Sequence, residues 1–341
     1  MRHSIIGVMT CVALLFTSIP AFSIEPIPKE SGFSGFINLG LTYLNVEDNM
    51  ISGTKLVNLT DKTINSVFSS PDGEPSIAPI INGEIRYTFA QTRTQLYFGN
   101  QLEDYLRFDF STLLGVRQEL PDSSVGAISY VFSGFPTEVW ADPYVAGVRR
   151  GETDRTSNGL RLEWERPFGT EFGVQFTWRK ISIDDEFSGV FGGLGLTPGQ
   201  IGLLDREGDH YSVQFYYTWK LAERHHLIPS FTYNKFDLDG DAMANDRYTL
   251  LLTYSYKGEK YSAVVNGFLG MADYDNRNPI YGKRQEDDLY GLALTGFWHR
   301  PFGLPKGFSL VGTTAYLKDN ANINFYDTQV ITAGVSLFYR F

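Results

Sequence analysis

Cysteine is nearly absent from this chain, which has a single one, Cys11, in 341 residues. Everything after Cys11 therefore lacks disulfides, thiol nucleophiles and cysteine metal sites. Long apolar runs are scarce as well. After the run from Ile5 to Phe16, no segment is apolar over the roughly 20 residues that a transmembrane helix needs. Basic residues are outnumbered by acidic ones, 29 to 39, and the net charge of −10 argues against nucleic-acid binding.

The N-terminus carries the features of a secretory signal peptide. Arg2 and His3 precede the apolar run, and Ala21-Phe22-Ser23 places small residues at the two positions that a signal peptidase inspects. We predict cleavage after Ser23, so residues 1–23 are the signal peptide and residues 24–341 form one domain. A membrane anchor is disfavoured because the apolar run is too short to span a bilayer. A lipoprotein signal is disfavoured because Cys11 lies inside the run rather than at its end.

The final eleven residues alternate between apolar and small or polar side chains, which is the period of a β-strand. This ending resembles the C-terminal signal of Gram-negative outer-membrane β-barrels, which the barrel-assembly machinery reads. The resemblance implies a barrel in the outer membrane, with Tyr339 and Phe341 as its assembly signal. The apolar parity consists of Ile331, Ala333, Val335, Leu337, Tyr339 and Phe341.

The same alternation recurs along the mature chain in fourteen segments of about the length that a tilted strand needs to cross a membrane. The clearest runs from Tyr211 to Trp219. Only helices and closed barrels satisfy their backbone in lipid, so the pattern predicts an all-β protein with a single antiparallel transmembrane β-barrel. Aromatic residues make up 15% of the chain, which suits interfacial girdles. A soluble β-sandwich or propeller, the alternative, needs neither this aromatic content nor a terminal Phe.

Connection lengths favour the same fold. Alternate connections are short, such as Ala90 to Thr92 and Lys257 to Glu259, whereas most of the others are long, such as Asn45 to Ala78 and Asp273 to Asp288. Bacterial barrels have short periplasmic turns and long extracellular loops. We predict about fourteen strands, with twelve or sixteen as alternatives because Gly134 to Arg155 could hide or lose one.

Charged residues of mixed sign occupy the inward parity of several predicted strands. In a water-filled lumen such side chains set the selectivity for ions and solutes. The alternative is that they pair across the lumen and close it, although fourteen strands enclose a wider interior than eight. The pore-lining candidates are Glu84, Arg86, Arg107, Asp109, Arg161, Glu163 and Arg179, and Glu165 and Arg340 share their parity.

One loop, Phe187 to Leu204, is unusually rich in Gly, Phe and Leu for a segment that faces water. Within it, Thr197-Pro198-Gly199-Gln200 has the pattern of a helix start, with Thr at the cap and Gln three residues later. The segment either folds into the mouth as a constriction or packs on neighbouring loops as a lid.

Two turns resemble each other, Trp164 to Gly169 and Trp298 to Gly303. Each places Pro and Gly after an aromatic strand end, where these residues stop a ladder and reverse the chain. We interpret them as repeated interfacial turns rather than as a duplicated ligand site.

The sequence has no complete motif for catalytic residues or for metal ligands. Ser157-Asn158-Gly159 resembles a fragment of the motif of outer-membrane phospholipases, but Arg155 stands where that family needs its His. His210 and Ser212 share the inward parity of one strand and point into the lumen rather than at lipid. Asp237, Asp239 and Asp241 have a calcium-loop spacing but lack the distal bidentate Glu. We predict no catalytic residue, no metal and no cofactor.

Across its mature length the chain resembles Gram-negative porin-like proteins or an uncharacterised outer-membrane protein family. The resemblance implies an outer-membrane channel for passive diffusion of small hydrophilic solutes or ions. A closed barrel with a structural or adhesive role, or a lipid-modifying hydrolase, are the alternatives. The expected partners are outer-membrane lipids and lipopolysaccharide, the barrel-assembly machinery and small solutes. The oligomeric state stays open, with a monomer favoured.

Overall fold

The computed structural model describes residues 27–100, 111–134 and 136–341. The predicted signal peptide and two of the pore-lining candidates, Arg107 and Asp109, lie outside the described residues. Within the described part of the chain, all eighteen strands belong to one sheet, and fourteen of them form the wall of a closed antiparallel barrel. The predicted fold class and strand number are confirmed.

The fourteen wall strands follow one another around the barrel in chain order, each antiparallel to its neighbours. Three other strands, β2 (Ile51–Thr54), β3 (Val57–Asn58) and β8 (Thr137–Trp140), lie in loops, and β12 (Trp219–Ala222) extends the line of β11. The wall consists of β1 (Gly32–Glu47), β4 (Gly73–Phe89), β5 (Thr94–Asn100), β6 (Ser111–Glu119), β7 (Val125–Ser133), β9 (Glu152–Glu165), β10 (Phe172–Ile183), β11 (Gly208–Tyr217), β13 (His225–Leu238), β14 (Asn245–Lys257), β15 (Tyr261–Asn278), β16 (Lys283–His299), β17 (Phe308–Ala321) and β18 (Thr328–Arg340).

The barrel closes between its first and last strands. β1 pairs with β18 from Phe36 opposite Arg340 to Glu47 opposite Gln329. The terminal residue completes this seam, because the Phe341 N–H donates to the Gly35 carbonyl and the Gly35 N–H donates to the Phe341 carbonyl, both at 3.1 Å. Closure removes the two sheet edges that lipid could not satisfy.

The outer face of the wall is apolar. The strand alternation leaves large side chains exposed all around the barrel, whereas their neighbours in sequence are buried inside. At one end this belt gives way to outward polar pairs, among them Trp178 Nε1 donating to Asp209 at 2.9 Å and Lys235 Nζ to Asp275 at 2.8 Å. A closed barrel with such a belt is an outer-membrane protein. Members of the belt include Leu39, Leu41, Ile85, Leu96, Leu114, Ile128, Leu162, Phe176, Leu250, Leu252, Leu292, Leu294, Val335 and Leu337.

The two ends of the barrel differ in their connections. The turn end carries residues 90–93, 120–124, 166–171, 223–224, 258–260 and 300–307, and the loop end carries residues 48–72, 134–151, 184–207, 239–244, 279–282 and 322–327. The predicted long loop from Asp273 to Asp288 is wrong, because β15 continues to Asn278 and β16 begins at Lys283. This hairpin is polar on both faces, so it pairs through its backbone without the apolar contrast that reveals a strand in a sequence.

The two similar turns have one geometry. Arg166 and Phe168 have φ values of 53° and 56°, and Arg300 and Phe302 have values of 52° and 54°. In each turn the Pro is buried, while Phe168 and Phe302 are 81% and 83% exposed. The exposed rings lie beside the preceding Trp, with ring centroids 5.2 Å apart in the first turn and 4.7 Å in the second. This agrees with an interfacial anchor at the turn end.

The outer belt predicts that a charged residue on the lipid-facing surface lowers the unfolding free energy most near the middle of the membrane and least near its edges. We expect Leu294→Arg, near the middle of the belt on β16, to lower the unfolding free energy in phospholipid vesicles by about 2–4 kcal/mol. The matched variant Asp288→Arg, outward on the same strand beyond the belt, should cost about 0–1 kcal/mol. Denaturant unfolding of the two refolded variants measures the difference. Equal costs would contradict the placement of the belt.

The final residue combines a seam contact with a predicted assembly signal. Phe341→Ala keeps both backbone hydrogen bonds to Gly35, whereas deletion of Phe341 removes them. If the aromatic ring is read by the assembly machinery, we expect Phe341→Ala to lower the amount of heat-modifiable barrel in cells and to leave refolding in vitro unchanged. Normal cellular assembly of Phe341→Ala would show that this ring is not the signal.

Candidate functional site

One side of the inner wall is lined by hydroxyl groups at mid-height. We name this side the hydroxyl arc, formed by Thr42, Thr253, Thr295, Thr313 and Thr332 on β1, β14, β16, β17 and β18, all of them buried. The hydroxyls bond to neighbouring strands: Thr42 Oγ1 lies 2.8 Å from Thr332 Oγ1, and Thr295 Oγ1 lies 3.2 Å from Thr313 Oγ1. At mid-height this part of the wall is polar and uncharged, whereas nearer the loop end Arg247 Nη2 on β14 lies 3.7 Å from Asp319 Oδ2 on β17 and 4.0 Å from Asp287 Oδ2 on β16.

The opposite side carries a larger group of charged side chains, which includes the described pore-lining candidates. Arg161 and Arg179 are each 1% exposed, whereas the side chain of Arg86 is 27% exposed. Arg161 Nε donates to Thr177 Oγ1 at 3.0 Å. We name this side the charged arc, which spans β4 to β10 and contains Glu84, Arg86, Arg117, Arg161, Glu163, Glu165 and Arg179.

The ion pairs of the charged arc run along the wall. Arg86 pairs with Glu84 on the same strand. Arg117 Nη2 on β6 lies 3.0 Å from Glu165 Oε2 on β9, with β7 between them. These two pairs hold the guanidinium groups of Arg86 and Arg117 against the strands.

Arg117 was missed by the sequence analysis. It donates from Nη1 to Gln95 Oε1 at 3.2 Å, and Gln95 Nε2 in turn donates to Thr88 Oγ1 at 3.0 Å. The predicted strand with inward charges at Arg107 and Asp109 was not extended as far as Arg117. The signal was present, since Arg117 has the same parity as those two residues.

At the loop end, side chains from six loops pack together above the barrel. We name this assembly the loop cap. Its core is apolar, and partly buried residues such as Leu194, Leu196 and Tyr281 pack against it. Burial of this kind stabilises by about 25 cal/mol per Å² of apolar surface, so the loops hold one another in place. The core of the cap consists of Val67, Tyr144, Leu204, Met243, Ile323, Phe325 and Tyr326.

Two tyrosines bond inside the cap core. Tyr144 Oη and Tyr326 Oη are 2.6 Å apart, and Asn278 Nδ2 donates to Tyr326 Oη at 2.6 Å. Burial raises the pKa of both tyrosines above the ordinary value. The phenols therefore stay neutral, and they hold residues 134–151, 278–282 and 322–327 together.

Buried charges anchor the cap to the rim of the barrel. Arg206 Nη2 lies 2.6 Å from Glu186 Oε2 and donates to the Trp140 carbonyl at 2.8 Å. Arg150 lies over the Trp140 ring, 4.1 Å from its centroid, and donates from Nη1 to the Asn49 carbonyl at 2.9 Å. Burial lowers the pKa of Arg150 to about 10, which still leaves it protonated at neutral pH.

The predicted helix start is confirmed. Helix α1 spans Pro198–Gly202, and Thr197 and Gln200 form the capping box. The helix has no buried residue of its own, but Leu194, Leu196 and Leu204 on either side of it pack into the cap. The segment therefore takes the lid arrangement, the second of the two alternatives. Among the described residues, no helix is long and apolar enough to cross a membrane.

The histidines of β11 and β13 have structural partners. His210 Nε2 lies 3.2 Å from Asn234 Oδ1, and its ring stacks on Phe236 with centroids 4.3 Å apart. His225 Nδ1 lies 2.6 Å from Tyr254 Oη. Within residues 27–100, 111–134 and 136–341, no three His, Cys, Asp or Glu side chains are grouped so that they could hold a metal ion.

Several solved structures have a similar fold. The outer-membrane channel DcaP of Acinetobacter baumannii is 9% identical, with a TM-score of 0.48, and the match covers 92% of this chain and 97% of that chain. A FadL homologue of Pseudomonas aeruginosa is 11% identical with a TM-score of 0.40, covering 90% and 89%. A loop-deletion form of OmpT of Vibrio cholerae is 10% identical with a TM-score of 0.43, covering 91% and 99%. Likeness at this level identifies neither a solute nor a mechanism.

No protein of curated function matches the sequence. A family model described as "Protein of unknown function (DUF2860)" matches residues 32–340, which is nearly all of the predicted mature domain. The chain therefore belongs to the DUF2860 family.

Proposed function

We propose that the protein is an outer-membrane channel for passive diffusion of small hydrophilic solutes or ions. The observation that carries this proposal is the polar inner wall, which combines the hydroxyl arc with the charged arc in a barrel of fourteen strands. Such a wall suits the passage of hydrophilic solutes, because hydroxyl and charged side chains can interact with water and ions along a lumen.

The loop cap adds a gate to this proposal. Its apolar core covers the loop end, so a solute passes only where the cap leaves a path or moves aside. Asp142 holds the segment before α1 in place, accepting from the Gly189 N–H at 3.0 Å and from the Phe191 N–H at 2.7 Å. By the resemblance to bacterial barrels this end is extracellular, so the cap would control entry from outside.

A closed barrel with a structural or adhesive role is the second candidate. Two observations favour it, the near-complete burial of Arg161 and Arg179 and the shared core of the loop cap. Planar-bilayer conductance of the refolded mature protein separates the candidates. Reproducible stepwise channels support the channel, and a folded, heat-modifiable barrel that never conducts supports the closed role.

Removal of the lid segment should open the loop end. We expect deletion of residues 189–202 to raise the single-channel conductance, because it removes Leu194, Leu196 and their packing against the cap. The matched control is Gln200→Ala, which removes the capping-box side chain and leaves the cap core intact. Equal conductance of the deletion variant and the wild type would contradict a gating role for this segment.

Opposite charges of the charged arc should move ion selectivity in opposite directions. We expect Arg86→Gln to shift the reversal potential in a salt gradient toward cation preference, and Glu84→Gln to shift it toward anion preference. The change in permeability ratio should reach at most about fivefold, since a unit charge at about 4 Å in water contributes about 1 kcal/mol. Both variants lose the same ion pair, so a common shift would reflect altered folding and contradict pore lining by these residues.

A further inference from the structure

A cavity of about 330 Å³ lies inside the barrel at the turn end, on the side away from the charged arc. It is bounded by the ends of β14 to β18 and by the turn between β16 and β17. Its volume falls at the lower end of the range of small-molecule sites. The lining residues are of two kinds, basic and aromatic, with three serines between them.

The basic side chains all approach from the turn end. Lys257, Arg300, Lys306 and Arg340 line the cavity, and no Asp or Glu is among its lining residues. Glu259, in the turn that follows Lys257, forms an ion pair with Arg224 at 2.8 Å and does not line the cavity. Four cations around one small space attract a negatively charged ligand, and guanidinium groups suit a carboxylate.

The aromatic side chains form the deeper wall. Phe297 and Phe338 are buried, and Phe36 supports this wall by stacking on Phe338 with centroids 5.4 Å apart. Phe308 borders the cavity at the turn, but its ring belongs to the outer face, where its centroid lies 4.4 Å from that of Tyr339. Phenyl faces prefer the offset or edge contacts of another ring, so they favour a ligand with an aromatic ring over a flexible chain.

His299 lies between the basic and the aromatic parts. Its Nε2 lies 2.7 Å from Ser262 Oγ and its Nδ1 lies 2.9 Å from Ser309 Oγ, so both ring nitrogens have a partner. The backbone around it is also paired: the His299 N–H donates to the Lys260 carbonyl at 2.9 Å and the Arg340 N–H to the Gly307 carbonyl at 3.0 Å. The cavity is therefore preformed, which reduces the entropy lost when a ligand binds.

We infer that this cavity is a binding site for a small ring-bearing organic anion, with an aromatic carboxylate as the best fit. The ring would lie against Phe297 and Phe338, and the carboxylate would face Arg300, Lys306 and Arg340. The inference deepens the proposed function by naming a solute class, and it rests on that function only for passage of the ligand across the membrane.

The chain offers two matched pairs of variants for the test. Arg300→Asn changes the cavity, and Arg166→Asn makes the same change in the similar turn, where the φ of Arg166 also is positive; Asn tolerates that region. Lys306→Glu reverses a charge in the cavity lining. Lys260→Glu makes the same change in the net charge of the protein, but it lies in the neighbouring turn, where Lys260 lies against the Tyr261 ring. Heat-modifiable migration verifies that each variant folds.

The experiment is a fluorine NMR titration of the refolded mature protein with 4-fluorobenzoate, 4-fluorobenzyl alcohol and fluoroacetate. We expect saturable binding of 4-fluorobenzoate, and binding at least about fivefold weaker for the uncharged alcohol and for the anion without a ring. Arg300→Asn and Lys306→Glu should each weaken 4-fluorobenzoate by about fivefold, and both control variants should bind like the wild type.

Three results overturn the inference. If the alcohol binds as tightly as 4-fluorobenzoate, the cavity is only an apolar pocket, and if fluoroacetate does, it is only a basic patch. The third result is that the control variants weaken 4-fluorobenzoate binding as much as the cavity variants do. Octanoate added as a competitor tests the ring, and stronger binding of octanoate than of 4-fluorobenzoate also overturns it. Binding without conductance refutes the proposed channel and keeps this site, whereas conductance without saturable binding refutes only the site.

Discussion

Satisfaction of the backbone in lipid is the constraint on which the rest of this structure depends. A strand in a bilayer has no water to pair with, so each wall strand needs two neighbours and the sheet has to close. The pairing of β1 with β18, completed by Phe341 and Gly35, provides that closure. Once the sheet is closed, alternation along each strand sends one set of side chains to lipid and the other to the interior. The apolar belt and the polar lumen are thus two results of the same constraint.

The interior is organised by position around the wall and by height along it. Around the wall at mid-height, threonine hydroxyls line one side, and paired guanidinium and carboxylate groups line the other. A second charged group, Arg247 with Asp287 and Asp319, lies nearer the loop end on the threonine side. Along the wall, the loop end is covered by an apolar cap, the middle is polar, and the turn end holds a basic cavity with an aromatic wall. A solute moving along this axis would meet a lid, a polar zone and an anion-attracting pocket in succession. This order is consistent with a selective channel more than with a wide, general pore.

Much of the fold was predictable because strand alternation is a local property. The belt residues, the fourteen wall strands, the two similar turns and the capping box of α1 could all be read from neighbouring residues. Prediction failed where apolar and polar side chains no longer alternate along a strand, or where the alternation was not extended to the end of the strand. The β15–β16 hairpin beyond Asp273 is polar on both faces, and Arg117 lies near the end of β6, beyond the predicted strand. Arg86 and Glu84 were placed on one inward face by parity, but their pairing is a matter of side-chain geometry.

The sequence by itself determined the closed barrel and its inward and outward faces, because both depend on residues close together along the chain. The tertiary structure alone decided which distant residues meet. Tyr144 and Tyr326 are 182 positions apart and share a hydrogen bond in the cap, and Ser262 and Ser309 reach His299 from different strands. Sequence periodicity does not predict such contacts, since they follow from the register of the strands and from how the loops fold over the barrel. The cap and the turn-end cavity, on which the proposed gate and the proposed binding site depend, both belong to this second group.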